Sequence, residues 1–234
     1  MPEPEGPPAD AALGPVIAAT VAAPAFLLLA ASATEVLPWA SGFDLGLHTW
    51  LAGNRSPAVV SFAAGLTATA SSAFTAPLVF AVTAALAPAP LGRRLARAAL
   101  VTAVMLLAVL CRFGLSALIA RPRPPEAGWA VQASGLAFPS GHTSDAFLTA
   151  GLLAWLAGQR LAAHPRIRAV LWVAAAGYVV AIAWTRAYLG VHWPTDTLGS
   201  MAFGTAWLSG ALAVRGVLLP SAVPGPVRSG NRSA

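Results

Sequence analysis

Apolar residues fill this chain in long runs, and short polar clusters separate them. A membrane-crossing helix needs about 20 mostly apolar residues, and the runs fall near that length. Residues 11–33 carry no charge, and Glu35 closes the run. Residues 56–92 are also uncharged, which is too long for one simple span. Their polar middle, Thr67-Ala68-Thr69-Ala70-Ser71-Ser72, predicts a surface or tilted helix followed by a span over 74–87. A third span covers 98–120 and is interrupted by Arg112; a fourth, 141–158, contains Asp145. The fifth and sixth cover 169–185 and 194–214. The pattern predicts an all-α, polytopic membrane protein of one domain with about six transmembrane helices, five and seven being the neighbouring counts. That domain occupies 11–217, between an N-terminal tail, 1–10, and a Pro/Ser/Arg-rich tail, 218–234, whose composition predicts a disordered cytoplasmic end. The first ten residues hold Glu3, Glu5 and Asp10 and no basic residue. A cleaved signal peptide starts positive, so the first span is expected to be retained.

Composition strengthens this picture. Only 9% of residues are charged, against about 25% in soluble domains, and mean hydropathy is +0.71. A disordered chain, a disulfide-stapled module and an ordinary soluble enzyme are all excluded. Cys111 is the one cysteine, so no internal disulfide and no Cys-x-x-Cys metal or redox motif exists. The net charge of +6 comes from 14 basic residues, every one of them Arg. Nucleic-acid binders cluster such charge on a soluble domain, whereas here it sits at the ends of apolar runs. Nucleic acid is therefore not an expected partner.

Basic residues collect on the cytoplasmic side of membranes. Arg93, Arg94 and Arg97 lie between the second and third spans, and Arg160, Arg166 and Arg168 between the fourth and fifth. Arg215, Arg228 and Arg232 follow the sixth. With six spans these segments share one side, so both termini are expected inside the cell membrane. The remaining loops, about 34–57, 121–139 and 186–193, then face outward. Trp39, Trp50, Trp129 and Trp193 fall near those outer ends, where interfacial aromatics are expected.

Five arginines remain: Arg55, Arg112, Arg121, Arg123 and Arg186. Charges at or inside a membrane are costly and point to function. Around them stand Arg121-Pro122-Arg123-Pro124, Pro139-Ser140-Gly141-His142, and Thr185-Arg186 with His192 and Asp196 following. A guanidinium fork matches phosphate oxygens. Pro139-Ser140-Gly141-His142 opens an apolar helix whose free N–H groups favour an anion, and Gly141 permits close backbone approach. His192 has the chemistry to attack phosphorus, with Asp196 four residues on to orient its ring. His142 is free to protonate a leaving oxygen. Each piece alone has a plain structural explanation, as a cap, a surface residue or a topological stop. Their convergence on three loops of one membrane face is what points to phosphoryl transfer without a metal.

Pro139-Ser140-Gly141-His142, and Thr185-Arg186 followed by His192 and Asp196, resemble the second and third signature motifs of the type 2 phosphatidic acid phosphatase superfamily, relatives of the vanadium haloperoxidases. Arg123-Pro124 resembles the end of the first motif. The resemblance implies that His192 is a nucleophile forming a phosphohistidine, that Asp196 orients it and that His142 is the general acid. It implies that Arg123, Arg186, Ser140 and Gly141 hold the phosphate, with Arg112 and Arg121 as possible auxiliaries. It further implies no metal or other cofactor, and a lipid phosphate monoester or diphosphate as substrate at the outer leaflet: phosphatidic acid, phosphatidylglycerol phosphate or a polyprenyl phosphate. A soluble vanadate-dependent peroxidase is excluded by the hydropathy.

One position departs from the family. Its first motif begins with Lys seven residues before its Arg, and Ser116 stands there in a chain without Lys. Arg112, one helical turn earlier and about 5–6 Å along the axis, is a candidate substitute. The rival expectation, slightly preferred, is an ion pair of Arg112 with Asp145. Two alternatives to hydrolysis stay open: a lipid phosphotransferase of the same superfamily, and a non-hydrolytic lipid-phosphate binder or carrier. Intact His142, Arg186, His192 and Asp196 weigh against the binder.

Overall fold

The computed structural model describes residues 10–34 and 38–214, with side chains from residue 14 and, after the gap, from residue 41. Eight α-helices account for most of these residues: α1 (Asp10–Ala33), α2 (Pro38–Gly53), α3 (Pro57–Ala68), α4 (Ser72–Leu86), α5 (Leu91–Ile119), α6 (Gly141–Arg160), α7 (Pro165–Tyr188) and α8 (Pro194–Ala213). A single 3-10 turn, Glu126–Gly128, lies in the long connection after α5. No strand occurs among the described residues. The tails expected at 1–10 and 218–234, with Arg215, Arg228 and Arg232, lie almost wholly outside the described residues.

Helix ends follow local chemistry. Ser56 caps α3 by accepting the Val59 N–H, and Pro57 occupies the first helical position. Helix α5 stops at Ala120, which takes a left-handed conformation (φ 52°), and Pro122 bars continuation. Helix α8 opens on Pro194, and the Asp196 carboxylate reaches back to accept the Trp193 N–H at 2.8 Å. At the other end of the bundle, arginines serve as C-terminal caps. Arg94 donates to the Ala84 and Ala85 carbonyls at 2.7 and 2.9 Å, and Arg160 donates to Leu86.

Helix α6 is the hub. It packs against α4, α7 and α8, while α1 lies along α8. The main core gathers Phe138, Leu148, Leu152, Met105, Phe203 and Phe26. Close approach of α6 and its preceding loop to α8 depends on missing side chains. A Cβ on Gly204 would lie 2.6 Å from the Phe147 ring, and one on Gly199 would lie 2.3 Å from Phe138. Small residues at helix contacts are how membrane helices gain packing energy where lipid is as apolar as Leu.

Three helices, α1 from Gly14, α5 and α7, are long and apolar enough to cross a membrane. Helices α3 and α4 pass together as a fourth, bent by 49° at their break. The expected surface helix plus separate span is thus one helix pair broken at Thr69–Ser71, the polar cluster seen in the sequence. Exposed rows such as Val16, Ile17, Val21 and Leu28 on α1, and Val170, Val173 and Val180 on α7, supply the apolar outer surface. Helices α6 and α8 match the predicted fourth and sixth runs but do not reach the apolarity of a span, because Thr143, Ser144, Asp145 and Thr149 line the buried face of α6 and Thr195, Asp196, Thr197 and Ser200 that of α8.

Two expectations are corrected here. The outer loop drawn at 34–57 contains helix α2, whose inward face is Asp44, Leu47, His48 and Leu51. The helical spacing is present, but two of its three buried positions are polar, with Leu47 only partly buried, so hydropathy hides it. The loop drawn around Arg93, Arg94 and Arg97 is the first two turns of α5.

Candidate active site

Three chain segments meet where α5 and α7 end and α6 and α8 begin. There they enclose a cavity of about 700 Å³, lined by Arg112 and Ser116 of α5, Arg123 and residues 131–136 of the following loop, Gly141 and His142 of α6, Arg186 of α7, and His192. Thr67, Ala64 and Ala68 of α3 complete the wall. The lining holds three guanidinium groups and two imidazoles, and no carboxylate.

Arg123 is the most fully engaged of the three arginines. Its Nη1 donates to the Val191 carbonyl at 2.6 Å and lies 2.9 Å from His192 Nε2. Its Nη2 and Nε donate to the Ser134 and Gly135 carbonyls at 2.8 and 3.0 Å. Arg123 thereby ties the loop after α5 to the loop that presents His192. Arg186 is buried and makes one long contact, Nη1 to Thr67 Oγ1 at 3.4 Å, while its Nε has no partner. Arg112 is 8% exposed, and its Nε also lacks a partner. Its guanidinium lies 4.1 Å from the Phe113 ring centre, and a Cβ on Gly141 would touch it at 3.3 Å. Buried donors left unpaired are costly, and together the three arginines give this cavity a positive potential. The first turn of α6 adds to it, since no side chain caps that helix.

The Arg112–Asp145 ion pair preferred from the sequence does not form. Among the described residues the ion pairs are Arg121–Asp44 and Arg121–Asp196, and the imidazole of His192 lies 3.5 Å from Asp196. Asp145 instead accepts a hydrogen bond from Ser72 at the start of α4, and its other oxygen has no partner. The reason is the packing of α4 against α6, which brings Ser72 to Asp145 while Arg112 turns into the cavity beside Gly141.

His192 is 2% exposed and sits between two partners. Nε2 lies 2.9 Å from Arg123, and Nδ1 lies 3.5 Å from Asp196 Oδ2 without a hydrogen bond. Because a guanidinium only donates, the geometry assigns the proton to Nδ1 and the lone pair to Nε2. Burial, followed by the nearby Arg186 and Arg123 charges, holds this imidazole well below its ordinary pKa. The ring is neutral at pH 7 and lines the cavity, with Nε2 accepting from Arg123.

Arg121 occupies a different place from Arg123. Its Nη1 donates to Asp196 Oδ1 at 2.5 Å and Thr195 Oγ1 at 2.8 Å, and its Nη2 donates to Asp44 Oδ2 at 2.6 Å. It does not line the cavity, so the auxiliary phosphate contact expected of it is replaced by a buried ionic cluster. Ser140 is likewise fully buried outside the lining, its Oγ accepting from Thr143 at 3.3 Å, while Gly141 does reach the cavity. Thr185 turns its hydroxyl back on the Ile182 carbonyl at 2.6 Å.

The last of the five arginines, Arg55, braces the site from outside. It donates to the Tyr188 and Gly128 carbonyls, both at 2.6 Å, pinning the end of α7 to the loop after α5. Gly190 makes that junction possible: its φ is +77°, and a Cβ there would lie 2.2 Å from the Gly128 oxygen. Two of the tryptophans expected at the interface serve the same frame. Trp129 donates to Pro124 at 2.8 Å and Trp193 to Pro122 at 3.0 Å, whereas Trp50 is 61% exposed. The Trp39 side chain lies outside the described residues.

Asp44, Thr195 and Thr67 escaped the sequence reading. Asp44 carried one signal: it is one of eight acids in the whole chain and begins an i, i+4 pair with His48 between leucines. Thr67 stands in the polar cluster at the break between α3 and α4, without a role read for it, and nothing comparable marks Thr195. Among the described residues no group of three or more His, Cys, Asp or Glu side chains is placed to hold a metal ion.

A helical bundle with apolar outer faces thus holds an arginine-lined cavity beside a His–Asp pair. The sequence model of the PAP2 superfamily matches residues 96–218, more than half of the chain, and the chain belongs to that superfamily. A relative is the phosphatidylglycerophosphatase B of Bacillus subtilis (strain 168), 33% identical over 86 residues. That match spans 37% of this chain and 42% of the relative, so the chain is aligned over less than half of the relative's length. The fold matches the crystal structure of a transmembrane PAP2-type phosphatidylglycerolphosphate phosphatase from Bacillus subtilis, with a TM-score of 0.76 at 23% identity. The superposition covers 88% of this chain and 98% of that one.

Proposed function

We propose that this protein hydrolyses a lipid phosphate monoester or diphosphate through a phosphohistidine on His192, without a metal. One observation carries the reading: Arg112, Arg123 and Arg186 converge with His142 and His192 on a cavity that contains no carboxylate. Three cations suit a phosphate whose charge grows and spreads in the transition state. In the first step His192 Nε2 attacks phosphorus, the N–P bond forms and the ester P–O bond breaks. The leaving oxygen takes a proton from His142. In the second, water attacks phosphorus and gives a proton to His142, the N–P bond breaks, and inorganic phosphate leaves. Arg123, which now donates to Nε2, transfers that hydrogen bond to a phosphate oxygen when substrate enters. Asp196 steadies the positive charge that develops on the ring, as carboxylates do beside catalytic imidazoles.

The orientation proposed is six spans with both termini cytoplasmic and the cavity at the outer face. The charge distribution supports it. Helices α5 and α7 each begin with arginines (Arg93, Arg94, Arg97; Arg166, Arg168) and end at the cavity, while α6 begins at the cavity and ends with Arg160. The small and apolar lining residues Ala64, Ala68, Phe113 and Ala117 give the lipid portion a surface of its own kind. The relatives' names favour phosphatidylglycerol phosphate as the first substrate to try. Phosphate release from phosphatidylglycerol phosphate, phosphatidic acid and polyprenyl phosphates, measured on purified full-length protein with chelator present, tests the proposal alongside His192→Ala. Turnover with chelator, lost in the variant, is the expected result. Turnover that requires a divalent metal, or that survives the substitution, overturns it.

A further inference from the structure

Behind the His–Asp pair lies a second ionic group, completed by Asp44 of α2, which lies outside the residues 96–218 that the superfamily match covers. Asp44 is 1% exposed, Arg121 8%, Thr195 1% and Asp196 0%. Asp44 Oδ2 accepts from Arg121 at 2.6 Å and from the Thr195 hydroxyl at 2.5 Å, and Oδ1 accepts the Thr195 N–H at 2.9 Å. Arg121 in turn donates to Asp196 Oδ1 at 2.5 Å. The order of charge running from α2 to the imidazole is therefore acid, base, acid, and then His192 Nδ1 at 3.5 Å.

An arginine paired with Asp196 alone would cancel the negative charge that Asp196 presents to the ring. With Asp44 on the far side of the guanidinium, the three groups sum to one negative charge. We propose that Asp44 is a positioning residue for catalysis: by neutralising Arg121 from behind, it leaves Asp196 able to stabilise positive charge on His192, and by holding the Thr195 N–H and hydroxyl it fixes the first turn of α8 that carries Asp196. This rests on His192 being the nucleophile. The cost of burying three charges argues for a use beyond stability, since such clusters are replaceable by apolar packing without loss of fold.

The prediction separates charge from scaffold. Asp44→Asn removes the charge and keeps the size, leaving Arg121 to neutralise Asp196. It lowers kcat by about 10- to 100-fold, the range for residues that orient a catalytic ligand, with KM within about twofold and slower formation of the phosphoenzyme. Asp44→Glu keeps the charge and restores most of kcat even where its thermal stability falls. Asp44→Asn combined with Arg121→Gln removes both charges together and recovers kcat to within about tenfold of the parent. If Asp44→Asn does not yield folded protein by size-exclusion and thermal unfolding in detergent, the Glu variant and the double variant decide. A folded Asp44→Asn with parental kcat overturns the proposal, and so does a double variant no faster than Asp44→Asn, or than Arg121→Gln where the single Asn variant is lost. His192→Ala is assayed in parallel: activity there refutes the phosphohistidine reading itself, whereas an inactive His192→Ala beside a fully active Asp44→Asn refutes only the role of Asp44.

Discussion

Arg121 and Arg123 stand two residues apart in the same Arg-Pro repeat and end in opposite electrostatic settings. Arg121 is enclosed by Asp44, Thr195 and Asp196, with both terminal nitrogens bonded to carboxylates. Arg123 meets only carbonyl oxygens and an imidazole nitrogen, and it shares its cavity with Arg112 and Arg186, both carrying unpaired donors. One region is a closed ionic cluster whose charges are satisfied inside the protein. The other is an open cationic cavity in which two of the three guanidinium groups keep an unpaired donor. Their proximity shows how a chain with 22 charges keeps a cationic cavity beside a neutral imidazole: Asp44 and Asp196 are enclosed with Arg121, and no carboxylate lines the cavity.

The sharpest way to break that contrast is to take a donor from the open side. Arg186→Ala is expected to lower kcat by about 10²- to 10³-fold, the usual effect of removing a donor that meets transition-state charge, in a phosphate-release assay. A loss appearing only in KM would make Arg186 a binding group of ground and transition state alike.

Next in size is the test of Arg112, which the structure moves from a partner of Asp145 into the cavity. Arg112→Ala is expected to cost about 10- to 100-fold in kcat/KM, or roughly 1.4 to 2.8 kcal/mol. Asp145→Ala should leave kcat/KM within about threefold, and the double variant should match Arg112→Ala alone, as uncoupled sites do. A double variant more active than Arg112→Ala would reinstate the ion pair. Gly141→Ala is a milder version of the same question. The new methyl meets the Arg112 guanidinium at 3.3 Å, so the side chain must yield by a few tenths of an ångström. A fall of about three- to tenfold in kcat/KM is expected, comparable with small misplacements of a binding group.

The smallest expected effect is a position on the pH axis. His192 has its pKa lowered by burial and by Arg186 and Arg123, so it stays unprotonated as pH falls through the ordinary histidine range. The acid limb of kcat/KM, which reports the free enzyme, should lie below pH 6.5. An acid limb at or above that value would mean that the cations do not act on the nucleophile.

Much of the molecule was legible before any coordinates. Helices α1, α5, α6, α7 and α8 each lie where a hydrophobic run predicted them, because burial in lipid or in a helical core demands apolar residues one after another. His142, Arg123, Arg186 and His192 were legible as a group, since charges are expensive in such runs and few were available. What failed did so for a common reason. Helix α2 was read as loop because Asp44 and His48 interrupt its apolar face, and those polar residues make sense only against partners far along the chain. Asp44 meets Thr195, 151 residues away. Ser72 meets Asp145 across 73 residues, a contact that displaced the expected pairing with Arg112. Ser140, expected at the phosphate, instead faces Thr143 inside the protein.

The sequence by itself determined the class of solvent this chain meets, the approximate limits of its long helices and the small set of groups capable of phosphate chemistry. These follow from local composition and from the free energy of moving side chains out of water, which each segment carries with it. Only the tertiary structure decided which arginine faces the cavity and which is neutralised behind it, and which partners Asp44 and Asp145 find. Those assignments depend on distances of a few ångströms between helices distant in sequence, where Coulomb and hydrogen-bond energies change steeply and hydropathy carries no record of them.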